Sequence, residues 1–145
     1  MARIKLELPT VFSFSTTIPV RITDLNYGNH VGNDSLLSII HECRMQFLAR
    51  HGYTELDCGG TGLIMSDVVI EFKKELFYGD SVEAQIAATE FTPFGFEVYY
   101  LLEKRNGQEL QTVAKAKTGM LCYDYEQKKL QKVPAAVRKQ LETTV

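Results

Sequence analysis

Between Phe12 and Ile22 apolar and polar side chains alternate. Phe12, Phe14, Thr16, Ile18, Val20 and Ile22 hold the even positions, while Ser13, Ser15, Thr17, Arg21 and Thr23 hold most of the odd ones. A period of two belongs to a strand with one face buried, so a half-buried strand is expected here. Pro19 lacks the N–H that a central ladder needs, which assigns this strand to a sheet edge. From Asn33 the period changes: Leu36, Leu37, Ile40, Cys43, Phe47 and Leu48 recur every three or four residues. Asn33 or Asp34 can cap the start and Gly52 can end the run, giving a helix of about five turns from about Asp34 to His51. Ile39 and Met45 widen its apolar stripe beyond one face, as expected for a helix largely enclosed by a sheet.

The second half reads as four strands. Ile64, Val68, Ile70 and Phe72 keep one parity; Gly79-Asp80 makes a turn; and Val82, Ala84, Ile86 and Ala88 resume the alternation. Thr92 to Gly95 breaks the chain again before Phe96, Val98, Tyr100 and Leu102. Asn106-Gly107 is a strong hairpin signal leading into the run from Leu110 to Tyr123. Ala114, Ala116 and Thr118 share one face there, small enough for a helix to lie close. Residues 126 to 132 are polar, and Pro134 to Leu141 is a candidate terminal helix with Pro134 near its first turn. The order β-α-β-β-β-β defines an α+β fold, one antiparallel five-stranded sheet wrapped on a long central helix. With no linker, repeat or low-complexity tract, residues 1–145 read as one domain.

Composition narrows the function classes. Lys and Arg number 16 against 18 Asp and Glu, a net charge of −2, and they are scattered, so there is no footprint for nucleic acid or an anionic membrane. The three cysteines, Cys43, Cys58 and Cys122, are widely spaced with no CxxC pair, which suggests neither a disulfide framework nor a metal site. No signal-peptide pattern and no membrane-length apolar run is seen, so a cytoplasmic location is expected.

The densest polar cluster, Arg21 to Asp34, lies between the first strand and the helix. Asp24 and Asn26 fall on the core-facing parity, and the cluster ends at a helix N-terminus, whose free N–H groups and partial positive charge suit an oxyanion forming on a carbonyl. Gly28 and Gly32 allow a ligand to approach the backbone. Gly32, Asn33 and Tyr27 are the candidate substrate contacts, and Asp34, His30, Asp24 and Asn26 the candidate catalytic groups.

The run Asp24-Leu25-Asn26, then Gly28, His30-Val31 and Asn33, with Glu42 and Arg44 on the helix, resembles the signature of hot-dog thioesterases of the 4-hydroxybenzoyl-CoA thioesterase type. Its usual form is Asp-x-Asp, a glycine-rich turn and a helix carrying Glu-x-Arg. The resemblance implies a hot-dog fold and hydrolysis of an acyl-CoA thioester to a free acid and coenzyme A, with coenzyme A entering as part of the substrate. It implies no metal or redox cofactor, and a homodimer or a homotetramer built as a dimer of dimers. It also implies that the backbone N–H of Asn33 holds the thioester carbonyl. Asn26 stands where the family has its second acid, and an amide cannot act as a carboxylate base or nucleophile. Asp34, at the helix start, His30 and Asp24 are, in that order, the groups that can supply the missing chemistry.

Each of these residues also has a plain structural reading. Asp34 suits a cap, His30 a tie to a backbone carbonyl, Asp24 a pair with Arg21 or Arg44, and Asn26 a turn closed by its own side chain. His41 and Glu42 suit ion pairs or a solvated face, and Asp67 an exposed strand position. Lys73, Lys74, Lys104, Arg105, Lys115 and Lys117 are the cations available to coenzyme A phosphates. A non-hydrolytic acyl-CoA binding or sensing module is the alternative to the enzyme, and no His-Phe-Pro signature supports a dehydratase. An apolar edge strand over Leu63 to Phe72 calls for pairing between two copies.

Overall fold

The computed structural model describes residues 3–144. The alternating segment forms β1 (Phe14–Pro19), in which Phe14, Thr16 and Ile18 are half-buried and Ser15, Thr17 and Pro19 exposed. It is shorter than its pattern. After Pro19 the chain enters a 3-10 turn at Ile22–Asp24, which interrupts the alternation: Ile22, on the inward parity, is 67% exposed, while Asp24, on the same parity, is buried as that parity requires. Pro19 lies opposite Ser81 in the single ladder that β1 makes, so it occupies the edge where a missing donor costs nothing.

The central helix α1 spans Asn33–Arg50, with Leu36, Ile39, Ile40, Cys43, Phe47 and Leu48 buried. Its N-cap is Gly32, and no side chain caps it; Asn33 and Asp34 are its first two residues rather than its caps. At the other end Gly52 takes the left-handed φ of 78° that terminates a helix without strain in a residue lacking Cβ.

Five strands form the body of an antiparallel sheet in the order β1-β3-β4-β5-β2, with β2 at Gly62–Phe72, β3 at Ser81–Thr89, β4 at Gly95–Asn106 and β5 at Glu109–Asp124. A sixth, two-residue strand, β6 (Lys129–Leu130), pairs with the end of β5, an addition that the polar stretch gave no reason to expect. Asn106 pairs with Glu109, so the hairpin turns on Gly107-Gln108, one residue later than the Asn-Gly signal suggests; Gly107 has φ +67°. The sheet presents Ala84 and Ala88 of β3 and Ala114, Ala116 and Thr118 of β5 to the helix, each no more than 1% exposed. These small side chains let α1 seat closely against the concave face.

Strand β2 departs from its single parity. A bulge between Met65 and Asp67 shifts the register, so Ile64 pairs with Leu121 on the outer face while Val68, Ile70 and Phe72 pair with Thr118, Ala116 and Ala114 on the inner one. An extra residue reverses every side chain beyond it. As the other sheet edge, β2 leaves Met65, Val68 and Phe72 exposed by 40, 37 and 52%. The terminal helix α2 (Ala135–Leu141) has Pro134 as its N-cap and buries Val137 and Leu141 in the core cluster. Among the described residues no helix is long and apolar enough to cross a membrane.

Candidate active site

The loop before α1 is held as a closed unit. Leu25 and Val31 form a bridge, the Asn26 N–H donates to the His30 carbonyl at 2.8 Å, and the Asn29 N–H donates to the Asn26 carbonyl at 3.1 Å. Asn26 Oδ1 accepts the Gly28 N–H at 2.8 Å, the local turn bond that short amide side chains make. Asp24 is buried, and its carboxylate accepts the Arg21 N–H at 2.8 Å and lies 3.5 Å from the Arg21 guanidinium. It therefore pairs with Arg21 and stiffens the 3-10 turn. Its side chain lines a separate groove with Pro19, Ile39 and Glu42, on the β1 side of the helix.

At the helix start the first backbone bond runs from the Leu36 N–H to the Gly32 carbonyl at 2.9 Å. The N–H groups of Asn33, Asp34 and Ser35 precede that bond and are the free donors of the terminus. Asp34 is exposed. A Cβ on Gly32 would stand 2.7 Å from Asp34 Oδ1 and 3.8 Å from Asn26 Nδ2, so the carboxylate and the amide converge over this glycine. Tyr27, at the loop tip, is fully exposed and lies outside the two grooves beside the loop.

Beside the terminus opens a groove of about 260 Å³. Val31, Leu36, Phe72, Leu76 and Val113 form its apolar walls, and His30, Asn33, Lys73, Lys74 and Glu75 its polar rim. The structure thus brings His30 and Asn33 together, sets Asn26, Gly32 and Asp34 beside them, and leaves Asp24 and Tyr27 elsewhere. Among the described residues Glu75 is the one carboxylate on the groove wall, and it was not among the sequence candidates. Its segment is tied on both sides. The N–H groups of Lys73 and Lys74 donate to the Val113 carbonyl at 2.8 and 3.1 Å, and the Val31 N–H donates to the Leu76 carbonyl at 2.8 Å. Lys104 Nζ donates to the Glu75 carbonyl at 2.7 Å. Val113 can accept twice because the β4–β5 register slips between Leu102 and Glu103, leaving it outside the ladder.

The other sequence candidates have partners. Glu42 accepts a hydrogen bond from Gln46 at 3.0 Å, and His41 and Arg44 share the Glu55 carboxylate. Asp67 accepts the Gly119 N–H at 3.0 Å and pairs with Lys117 at 3.3 Å. Lys73 pairs with Glu71, Lys104 with Asp80 and Arg105 with Glu83. Lys74 and Lys115 have no carboxylate within 4 Å among the described residues. Beside Lys73 and Lys115, the Glu71 carboxyl is held below its ordinary value, chiefly by its hydrogen bond to Lys73.

One long helix enclosed by an antiparallel sheet, with a groove at the helix N-terminus, defines a hot-dog-fold protein. Residues 20–141 match the thioesterase-like superfamily, and the chain belongs to it. Solved structures agree on the fold. The chain is similar to 4-hydroxybenzoyl-CoA thioesterase from a Pseudomonas species at 14% identity and TM-score 0.78, over 90% of this chain and 99% of that one. An aspartate-to-asparagine mutant of 4-hydroxybenzoyl-CoA thioesterase, complexed with 4-hydroxybenzoyl-CoA, matches at 14% identity and TM-score 0.80, over 89% and 98%. A 1,4-dihydroxy-2-naphthoyl-CoA thioesterase from Synechocystis matches at 19% identity and TM-score 0.77, over 88% and 93%. No curated protein sequence matches the chain.

Proposed function

We propose that the protein is an acyl-CoA thioesterase, hydrolysing the thioester with water and needing no cofactor beyond the coenzyme A that its substrate carries. The observation that carries the reading is the groove at the start of α1, whose free N–H donors meet an apolar wall and titratable side chains in a chain of the thioesterase-like superfamily. The carbonyl oxygen accepts from the Asn33 N–H, where negative charge on the tetrahedral intermediate meets the positive end of the helix. The acyl group lies along Leu36, Phe72 and Val113, and Lys73 and Lys74 at the rim attract the phosphates of coenzyme A.

Asn26 favours a second reading. Its amide is committed to the Gly28 N–H and offers no base, so a module that binds acyl-CoA without hydrolysing it would have this residue. The two readings part on turnover: release of free coenzyme A from a panel of acyl-CoAs supports the enzyme, and binding without release supports the module.

We also assign a second copy of the chain to β2. Its unpaired backbone edge and the exposed Met65, Val68 and Phe72 form an apolar strip continuous with the groove, because Phe72 belongs to both. Antiparallel pairing of two β2 edges covers the strip and closes the groove from its open side.

A further inference from the structure

We infer that Glu75 is the general base of this site, acting with His30 on the attacking water. The inference rests on the thioesterase reading and adds the residue that replaces the acid absent at Asn26. His30 Nδ1 lies 3.2 Å from the Val31 carbonyl oxygen. A carbonyl only accepts, so Nδ1 carries the hydrogen, and in the neutral ring Nε2 presents its lone pair. Nε2 stands 3.9 Å from Glu75 Oε1. Two acceptors at this separation are matched by a donor between them, and a water molecule giving one O–H to each satisfies both. Its oxygen lone pairs then point away from the two acceptors, into the groove whose rim also holds Asn33.

No other carboxylate fills this place. Asp24 lines a separate groove and pairs with Arg21, Asp34 does not line this one, and among the described residues Glu75 is the single acid that does. The backbone bonds of residues 73–76 to Val113, Val31 and Lys104 fix the position of Glu75 although its side chain is 62% exposed. In the step, the water oxygen bonds to the thioester carbon as its proton passes to the Glu75 carboxylate. The carbonyl oxygen takes the negative charge and accepts from the Asn33 N–H. Collapse of the intermediate breaks the C–S bond, and the thiolate of coenzyme A takes the proton from Glu75. Water and thioester give acid and thiol, and Glu75 returns to its starting form.

The test is steady-state hydrolysis of acetyl-, hexanoyl-, benzoyl- and palmitoyl-CoA by the full chain and by Glu75→Gln, followed as free thiol. Gln keeps the shape but takes no proton, so turnover on the best substrate is expected to fall by about 10²- to 10⁴-fold, the worth of a general base. The circular dichroism spectrum and melting temperature should be retained, since the side chain is largely exposed. Glu75→Ala should regain turnover with added acetate or formate, a recovery that a structural role does not produce. An active wild type alongside a Glu75→Gln variant that keeps wild-type turnover overturns the role of Glu75 and leaves the thioesterase reading standing. A wild type that releases no thiol from any of the four overturns the thioesterase reading, and the role of Glu75 with it.

Discussion

Arg44 and Tyr100 meet inside the core: guanidinium Nη1 donates to the phenol oxygen at 3.2 Å, and that oxygen shares a 2.7 Å hydrogen bond with Thr118. Arg44 and Thr118 are 5% and 0% exposed, so removing the phenol oxygen leaves the Thr118 hydroxyl without its partner and Arg44 with the Glu55 carboxylate alone, both out of reach of water. Tyr100→Phe should destabilise the protein by about 1–3 kcal/mol, the cost of unsatisfied buried groups. Urea unfolding measures the loss, and a midpoint equal to wild type would show that the network contributes nothing.

Stability should fall in alkali. Burial pushes the Cys43 and Cys58 thiols up from 9.0 to about 12 and the Cys122 thiol to about 11, and it raises Tyr100 as well. A folded thiol with a raised pKa keeps its proton where the unfolded chain gives its own up. The stabilisation is therefore complete below pH 9.0 and is lost progressively as pH rises toward 11 to 12. Each thiol adds a slope of about 1.4 kcal/mol per pH unit across that window. Urea midpoints in reductant at pH 8 and pH 10.5 check this, and equal midpoints contradict it.

The β2 edge should carry the contact between two copies. Light scattering at micromolar concentration is expected to give a dimer, and Val68→Glu a folded monomer. Val68 is 37% exposed, so the charge enters the contact rather than the core, and the monomer's spectrum should match wild type. A wild-type monomer with full turnover contradicts the pairing.

The helix and most strands were legible because each repeats its period over many residues: Leu36, Ile40, Cys43 and Phe47 could face only one way, as could Phe96, Val98, Tyr100 and Leu102. Interruptions of a period were not. The extra residue near Ser66 reverses the parity and the 3-10 turn interrupts it at Ile22 alone, Val20 and Asp24 staying buried on either side; neither leaves a local signature, so the alternation misassigns Ile64 and Ile22. In the site, the loop from Asp24 to Asp34 stood out by its polar density, but Glu75 sits in the ordinary run Lys73-Lys74-Glu75. Only the fold brings it to His30, 45 positions earlier in the chain, through long-range bonds at Val113 and Val31. The buried Arg44 was equally hidden, since a charge on an apolar helix face declares itself only when its partners on β4 and β5 are known.

Asn26 can be changed without disturbing its loop, because an aspartate accepts the Gly28 N–H as the amide oxygen does. Asn26→Asp should therefore fold and supply a carboxylate where the family pattern has its second acid, raising turnover. The new charge stands near Asp34 over Gly32, so the melting temperature should drop slightly at neutral pH and recover in acid. A folded variant with unchanged turnover would remove position 26 from the chemistry.

The most direct measurement is the steady-state release of free coenzyme A by the wild-type chain from a series of acyl-CoAs, with binding measured by calorimetry in parallel. Saturable release at a rate well above buffer hydrolysis is expected for at least one acyl group, with equimolar free acid formed. Tight binding of acyl-CoA with no thiol released would contradict it and make the protein a binding module.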